Sequence, residues 1–301
     1  MPEKIKLYLQ SLRLERWPRS LAIIPGFIGV FILHPDLIKQ VDTVNILLKL
    51  VLGFILTWFI STANYIVNEI TDAPYDKYHP QKKHRPLIRN QISITKLILL
   101  YLVLVLVSII AGITLYNPNF LFSLLALLAA GIIYNVPPVR MKDIPFLDST
   151  VESANNPIRF LIGWYIITTS FPPLSLLVSW WCFGNFLMIG KRVAEKKFLT
   201  EAESAGYRLS LKKYSPNMLI FFMLINAIIF IVTFSLFAIE SEFYTLLFSL
   251  PFIIIYLFMF VKKSLKDPEG AEELEKLLKN PHFAIYTLFL VIIFIIAFIC
   301  K

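Results

Sequence analysis

Long apolar runs alternate with polar connections along nearly the whole chain. Nine runs approach the length of a bilayer crossing: roughly 19–35, 44–65, 94–116, 119–136, 149–170, 173–190, 216–238, 243–262 and 282–300. A crossing needs about 20 mostly apolar residues in helical geometry. In lipid, backbone polar groups must be satisfied within the segment, so such runs form helices. The pattern predicts an all-α membrane protein with nine transmembrane helices, and one polytopic domain over 1–301. Residues 1–18 have a different pattern. Ile5, Tyr8, Leu9, Leu12 and Leu14 alternate with Lys4, Lys6, Arg13 and Arg16, which predicts an amphipathic segment at the membrane interface. No small-residue cleavage site follows, so this segment does not read as a cleaved signal.

Composition agrees with the pattern: 57% of 301 residues are hydrophobic and the mean hydropathy is +0.70. The net charge of +9 gains meaning from its distribution. With nine spans, the N-terminus and the even connections share one side. All but four of the 29 Lys and Arg residues fall there, the exceptions being Lys39, Lys49, Lys301 and, inside a span, Arg159. The positive-inside rule places that side in the cytoplasm of a bacterial-type cell membrane. Basic charge so arranged does not call for nucleic acid, and no obligate protein partner is indicated. Cys182 and Cys300 lie at different depths, and the four His residues show no metal spacing. The outer connections are short. The polar ones, 66–93, 137–148, 191–215 and 263–281, are long, so an active site should open on their side. Within the last of them, 269–280 reads as a plain surface helix.

Candidate chemistry concentrates between Asn64 and Leu87. Asn64, Asn68, Asp72 and Asp76 recur every four residues. That spacing keeps them on one helix face, drifting by about 40° per step. A basic group follows at Lys77, Lys82, Lys83, His84 and Arg85. Carboxylates beside cations suit a magnesium-chelated diphosphate: Asn68, Asp72 and Asp76 for the metal, and Lys77, Lys83 and Arg85 for phosphate oxygens. The competing reading is an inert loop of mixed charge. A further set, Glu152, Asn155, Asn156 and Arg159, shares a face of the fifth run. An intramembrane Arg faces the bundle interior and pairs. Glu152 and a substrate phosphate are the two candidate partners of Arg159.

The stretch from Asn68 to Asp76 fits the Asn-x-x-x-Asp-x-x-x-Asp signature of the UbiA-type intramembrane prenyltransferases. Lys83-His84-Arg85-Pro86-Leu87 resembles the basic element that follows it. The resemblance covers essentially the whole chain. It implies nine helices around a central cavity open to the cytoplasm, with Mg2+, a diphosphate and a polyprenyl lipid as cofactor and substrates, and Asp72 and Asp76 as catalytic residues. Tyr134-Asn135, followed by Arg140 and Lys142, resembles a further family turn and implies phosphate contacts from both cations. Arg16 precedes the first span where relatives also carry basic residues; an interfacial anchor is the alternative. Two departures are visible. Glu69 stands where Asp is common, a change expected to matter little. The second Asp-rich motif is replaced by Gly190-Lys191-Arg192-Val193-Ala194-Glu195.

That string resembles the decaprenyl-phosphate phosphoribosyltransferase branch. The resemblance implies phosphoribosyl pyrophosphate as donor and a polyprenyl phosphate as acceptor. More phosphate groups need more fixed cations. Lys191, read as catalytic, and Arg192 supply them, with Glu195 four residues on to orient Lys191. As a bare pair at a span end, both residues would be topological anchors. The rival enzyme reading is a prenyltransferase that moves a prenyl group from its diphosphate to an aromatic or other acceptor; the missing second acidic motif counts against it. A transporter is disfavoured because the acidic residues cluster at one mouth rather than mid-membrane.

Overall fold

The computed structural model describes residues 3–39, 42–77, 82–198, 209–266 and 280–300. Among them every regular element is helical. The surface helix expected over 269–280 falls outside the described residues, apart from Asn280. The chain divides near Pro172 into two compact units.

The first unit holds α1 (Glu3–Ser11), a 3-10 helix (Leu14–Ile23), α2 (Ile24–Leu33), α3 (Thr43–Asp76), α4 (Ile94–Leu115), α5 (Pro118–Asn135) and α6 (Leu147–Trp164). Asp42 caps α3 by accepting from the Val44 N–H, and Asn117 caps α5 through the Phe120 N–H, with Pro118 in the first turn. The 34 residues of α3 give it a length of about 51 Å, against a hydrocarbon core of about 30 Å. The helix therefore carries its polar end, with the Asn–Asp–Asp positions, well beyond its apolar stretch. The start of α4 and the segment before it pack against that end. Leu12, Ile66, Leu87, Ile92 and Leu97 form a buried cluster, with Leu7, Tyr8 and Leu9 of α1 laid over it. The amphipathic segment expected over 1–18 thus covers protein with its apolar side, and it is not one helix: Arg13, at φ 50°, separates α1 from the 3-10 helix.

The second unit holds α7 (Leu174–Phe198), α8 (Leu209–Lys213), α9 (Pro216–Glu240), α10 (Leu250–Lys266) and α11 (Pro281–Ile299). Ser215-Pro216 and Asn280-Pro281 repeat the cap-then-proline start seen at α5. Helices α7 and α9 pack together, joined by a buried Asn185 Nδ2 to Asn226 Oδ1 hydrogen bond of 2.9 Å.

Among the described residues, eight helices are long and apolar enough to cross a membrane. The fifth expected span is the one outside this set. Its apolar tail, Tyr165–Ile167, leaves the helix as a turn, and α6 itself carries Asp148, Glu152 and Arg159. The exposed faces of α4, α9 and α11 are apolar, with Leu99, Leu106, Phe221, Ile228, Ile285 and Leu288 each more than half exposed. In an integral membrane protein such faces are solvated by lipid.

Small residues set the approach of α2 to α6. A Cβ built on Gly26 would lie 1.9 Å from the Phe160 carbonyl oxygen, and one on Gly163 would lie 1.9 Å from that of Ile23. The backbones touch where neither residue has a side chain, the usual device for packing helices in lipid.

Candidate active site at the polar end of α3

The four-residue register of α3 separates in space into two ion clusters. Asp72 turns toward the connection after α5. Its Oδ1 accepts from Arg140 Nη2 at 3.0 Å and from Lys142 Nζ. Arg140, only 6% exposed, also donates to Asp143 at 2.8 Å, to the Thr71 carbonyl at 3.2 Å and to the Asn135 carbonyl at 3.1 Å. Its guanidinium lies over the Tyr75 ring, 4.2 Å from the centroid. Arg140 adopts φ 29°, a left-handed conformation costly for a non-glycine residue. The five-donor guanidinium is anchored tightly enough to hold it there.

Asn135 joins the same network. Its Oδ1 accepts from Asn68 Nδ2 at 2.9 Å and from Lys142 Nζ at 3.0 Å, while its own amide donates to the Gly131 carbonyl at 2.8 Å. One turn earlier, Asn64 donates to the Leu127 carbonyl at 2.8 Å. The amide positions of α3 therefore lock it to α5, and the carboxylate of Asp72 sits where that lock ends.

The second cluster lies around Asp76 and Glu69. Arg85 bridges them, pairing with Asp76 and lying 3.3 Å from Glu69. Arg13 reaches Glu69 at 3.0 Å. Glu69 is 3% exposed and ties the N-terminal segment to the motif end of α3. Read from the sequence as a minor departure, it shares Arg85 with Asp76, seven residues further along the helix.

Of the other expected phosphate-binding residues, Lys77 and Lys83 are exposed beside this cluster. Arg16 faces Tyr65, 5.8 Å from the ring centroid. In the second unit, Lys191 is partly buried, and Arg192 is fully buried with Nη1 2.8 Å from Glu195. Glu195, expected to orient Lys191, also holds Arg192, three residues away. Helix geometry brings i, i+3 and i, i+4 positions onto one face, and spacing alone cannot choose between them.

Of the two candidate partners of Arg159, Glu152 is engaged elsewhere. Glu152 accepts a 2.8 Å hydrogen bond from the Tyr134 hydroxyl, whereas Arg159 Nη2 reaches Ser61 Oγ of α3 at 3.3 Å. Glu152 lies on α6 about two turns nearer the helix start, and Arg159 turns instead to the small polar side chain on the helix opposite.

The donor set around α3 fits a magnesium ion. Asp72 and Asp76 offer hard carboxylate oxygens one turn apart, with the Asn68 amide beside them. Among the described residues, no three acidic, His or Cys side chains cluster tightly enough to hold a metal alone. Magnesium is commonly bound by one or two carboxylates with the remaining positions filled by water and substrate phosphate. Asp72, 17% exposed at its side chain, is the more accessible carboxylate; Asp76, at 2%, is held by Arg85.

Comparison with known proteins agrees with the all-helical membrane fold. Decaprenyl-phosphate phosphoribosyltransferase of Mycobacterium tuberculosis is 28% identical over 207 residues, covering 68% of this chain. The aligned region spans 66% of that relative's length. Digeranylgeranylglyceryl phosphate synthase of Sulfurisphaera tokodaii is 30% identical over 132 residues, or 42% of this chain and 46% of its own. A UbiA homolog from Archaeoglobus fulgidus bound to GPP and Mg2+ superposes with a TM-score of 0.71 at 18% identity, covering 97% of this chain and 99% of that one. Residues 22–284 match the UbiA prenyltransferase family, and they include α3 with its Asn68, Asp72 and Asp76 register: the chain belongs to that family.

Proposed function

We propose that this protein transfers 5-phosphoribose from phosphoribosyl pyrophosphate to a polyprenyl phosphate at the cytoplasmic face of a cell membrane. The observation that carries this reading is the charge at the polar end of α7. Lys191 and Arg192 stand there, and the nearby carboxylate, Glu195, is 2.8 Å from Arg192. A cationic element suits a reaction with phosphates on both substrates better than a second metal-binding acid pair does. The decaprenyl-phosphate phosphoribosyltransferase relatives support it.

The chemistry is a displacement at the anomeric carbon. A lipid-phosphate oxygen forms the new bond, the bond to pyrophosphate breaks, and its electron pair leaves with the pyrophosphate. The nucleophile is already an anion, so no general base is needed. Mg2+, when held by Asp72, Asp76 and Asn68, supplies charge neutralisation at the pyrophosphate. Arg140 and Lys142 fix the Asp72 carboxylate and present N–H donors to phosphate oxygens. Lys77, Lys83 and Arg85 add positive charge at the entrance. Orientation and charge stabilisation carry the rate.

Purified protein incubated with radiolabelled phosphoribosyl pyrophosphate, magnesium and a polyprenyl phosphate is expected to form a lipid-linked product. Parallel tubes hold a prenyl diphosphate and an aromatic acid. Consumption of the prenyl diphosphate alone sinks the assignment in favour of a prenyltransferase, a reading supported by the match to digeranylgeranylglyceryl phosphate synthase. Lys191→Ala is expected to lower kcat/KM for phosphoribosyl pyrophosphate by about 10- to 100-fold, the loss of one charge-assisted hydrogen bond. Arg192→Ala is expected to do the same, with an added folding defect because it strands Glu195. Normal kinetics in Lys191→Ala assign that residue to anchoring.

The orientation has its own test. With Cys182 and Cys300 replaced by serine, Gln91→Cys and Lys213→Cys are expected to react with an impermeant thiol reagent only from the cytoplasmic face. Phe171→Cys is expected to react only from the other. Labelling of Gln91→Cys and Lys213→Cys from opposite faces breaks the proposed topology.

A further inference from the structure

Arg159 is the unexplained cation of the first unit. Its Nε is sealed from solvent without a hydrogen-bond partner, and Nη2 reaches only the Ser61 hydroxyl, at 3.3 Å. Among the described residues, no carboxylate lies within ion-pair distance of it. The residue is partly exposed as a whole, but a guanidinium N–H sealed from water without a partner is costly, and buried polar groups are otherwise satisfied.

Further positive charge surrounds the same place. The Tyr65 hydroxyl, one turn from Ser61 on α3, accepts from Arg19 Nη1 at 3.5 Å. Arg13 and Arg16 lie over the Tyr65 ring, each 5.8 Å from its centroid. Arg16, Arg19 and Arg159 all act electrostatically on the Tyr65 hydroxyl. Arg13 also reaches Glu69, at 3.0 Å. Arg159 on Ser61 and Arg19 on Tyr65, one turn apart on α3, describe a cationic place in which Arg159 has no protein carboxylate among the described residues.

Position selects the anion. Tyr65 precedes Asp72 by seven residues, about 10 Å along α3, and lies on the side of the apolar stretch. In a displacement at carbon, nucleophile and carbon stand about 3–3.5 Å apart, with the leaving group on the far side. The acceptor phosphate then lies across the anomeric carbon from the departing pyrophosphate, so the two anions occupy distinct places within about 10 Å of one another. The soluble donor meets Asp72 at the polar end, and the lipid head group approaches from the apolar side.

Resting on the transfer reaction proposed above, we infer that Arg159, with Arg19, Tyr65 and Ser61, binds the phosphate of the lipid acceptor. This is a site separate from the Asp72–Arg140–Lys142 cluster.

The test is equilibrium binding to purified protein in detergent, without turnover, using four probes: a polyprenyl phosphate, the matching unphosphorylated polyprenol, inorganic phosphate and phosphoribosyl pyrophosphate. Wild type is expected to bind the polyprenyl phosphate at least tenfold more tightly than the polyprenol. Arg159→Ala should remove that advantage, a loss of about 10- to 100-fold, with affinity for the polyprenol and for phosphoribosyl pyrophosphate retained. Arg159→Lys should recover part of it, since a point charge replaces a planar fork. Arg19→Ala, at an exposed position, gives a second reading if Arg159→Ala fails to fold, with a smaller loss in the same probe. Unchanged lipid-phosphate affinity in both alanine variants overturns the site, as does a loss confined to phosphoribosyl pyrophosphate or to inorganic phosphate. Because binding is read without the donor, Arg159-dependent lipid binding by a protein that ignores phosphoribosyl pyrophosphate upholds this site while refuting the transfer reaction.

Discussion

Asp72→Asn and Asp76→Asn are each expected to reduce turnover by at least 10²- to 10³-fold, the scale of losing one preorganised electrostatic element in an active site. Either change keeps the shape of the side chain and removes a charge on which the proposed magnesium site depends. Their effects on folding should differ. Asp72 neutralises Arg140 and Lys142, which are 6% and 4% exposed. Its loss removes a carboxylate that these two buried cations share, though Arg140 keeps Asp143 at 2.8 Å, so some stability should be lost. Asp76 shares Arg85 with Glu69, which remains 3.3 Å from that guanidinium. Asp76→Asn should therefore stay well folded while inactive, and it is the cleaner probe of metal binding. Turnover and thermal unfolding measured side by side separate the two effects. Full activity in Asp76→Asn, or undiminished turnover in excess chelator, would falsify the magnesium role.

Gly163→Ala is expected to cause a large loss of stability in the first unit. The new Cβ would meet the Ile23 carbonyl oxygen at 1.9 Å and its carbon at 2.8 Å. Both are backbone atoms, so no rotamer change relieves the overlap, and α2 must move away from α6. Overpacking costs about 1–3 kcal/mol when side chains can give way, and more when they cannot. A loss of about 3 kcal/mol lowers the unfolding temperature by roughly 10 °C for a unit of this size. Gly26→Ala, 1.9 Å from the Phe160 carbonyl oxygen, should behave alike. Gly29→Ala is the control: its nearest neighbours are the Phe160 and Trp164 rings at 3.5 and 3.6 Å, an ordinary contact. Equal melting temperatures for Gly29→Ala and Gly163→Ala would show that the α2–α6 approach is looser than described. Since α6 carries Arg159 one turn from Gly163, displacement of α6 should also weaken lipid-phosphate binding before the protein unfolds.

The hydrophobic pattern determined by itself that the chain is helical and lives in a membrane, because lipid allows few other ways to satisfy a backbone. The four-residue register determined that Asn68, Asp72 and Asp76 lie near one another at a helix end, because helical rise and twist are the same in every context. The family motif was legible for the same reason: its residues are local. Pairings between helices were not. Nothing in local spacing says that Glu152 serves Tyr134, or that Arg159 turns to Ser61, 98 residues away. Asn135 appeared in the sequence as part of a turn; its place as the common acceptor for Asn68 and Lys142 exists only once α3 and α5 pack. The fifth apolar run shows the limit most clearly. Hydropathy summed over 149–170 hides that its charged half is helical and its apolar end, Tyr165–Ile167, is a turn. Composition adds residues without regard to direction, whereas tertiary packing decides which face of each helix meets lipid and which meets charge.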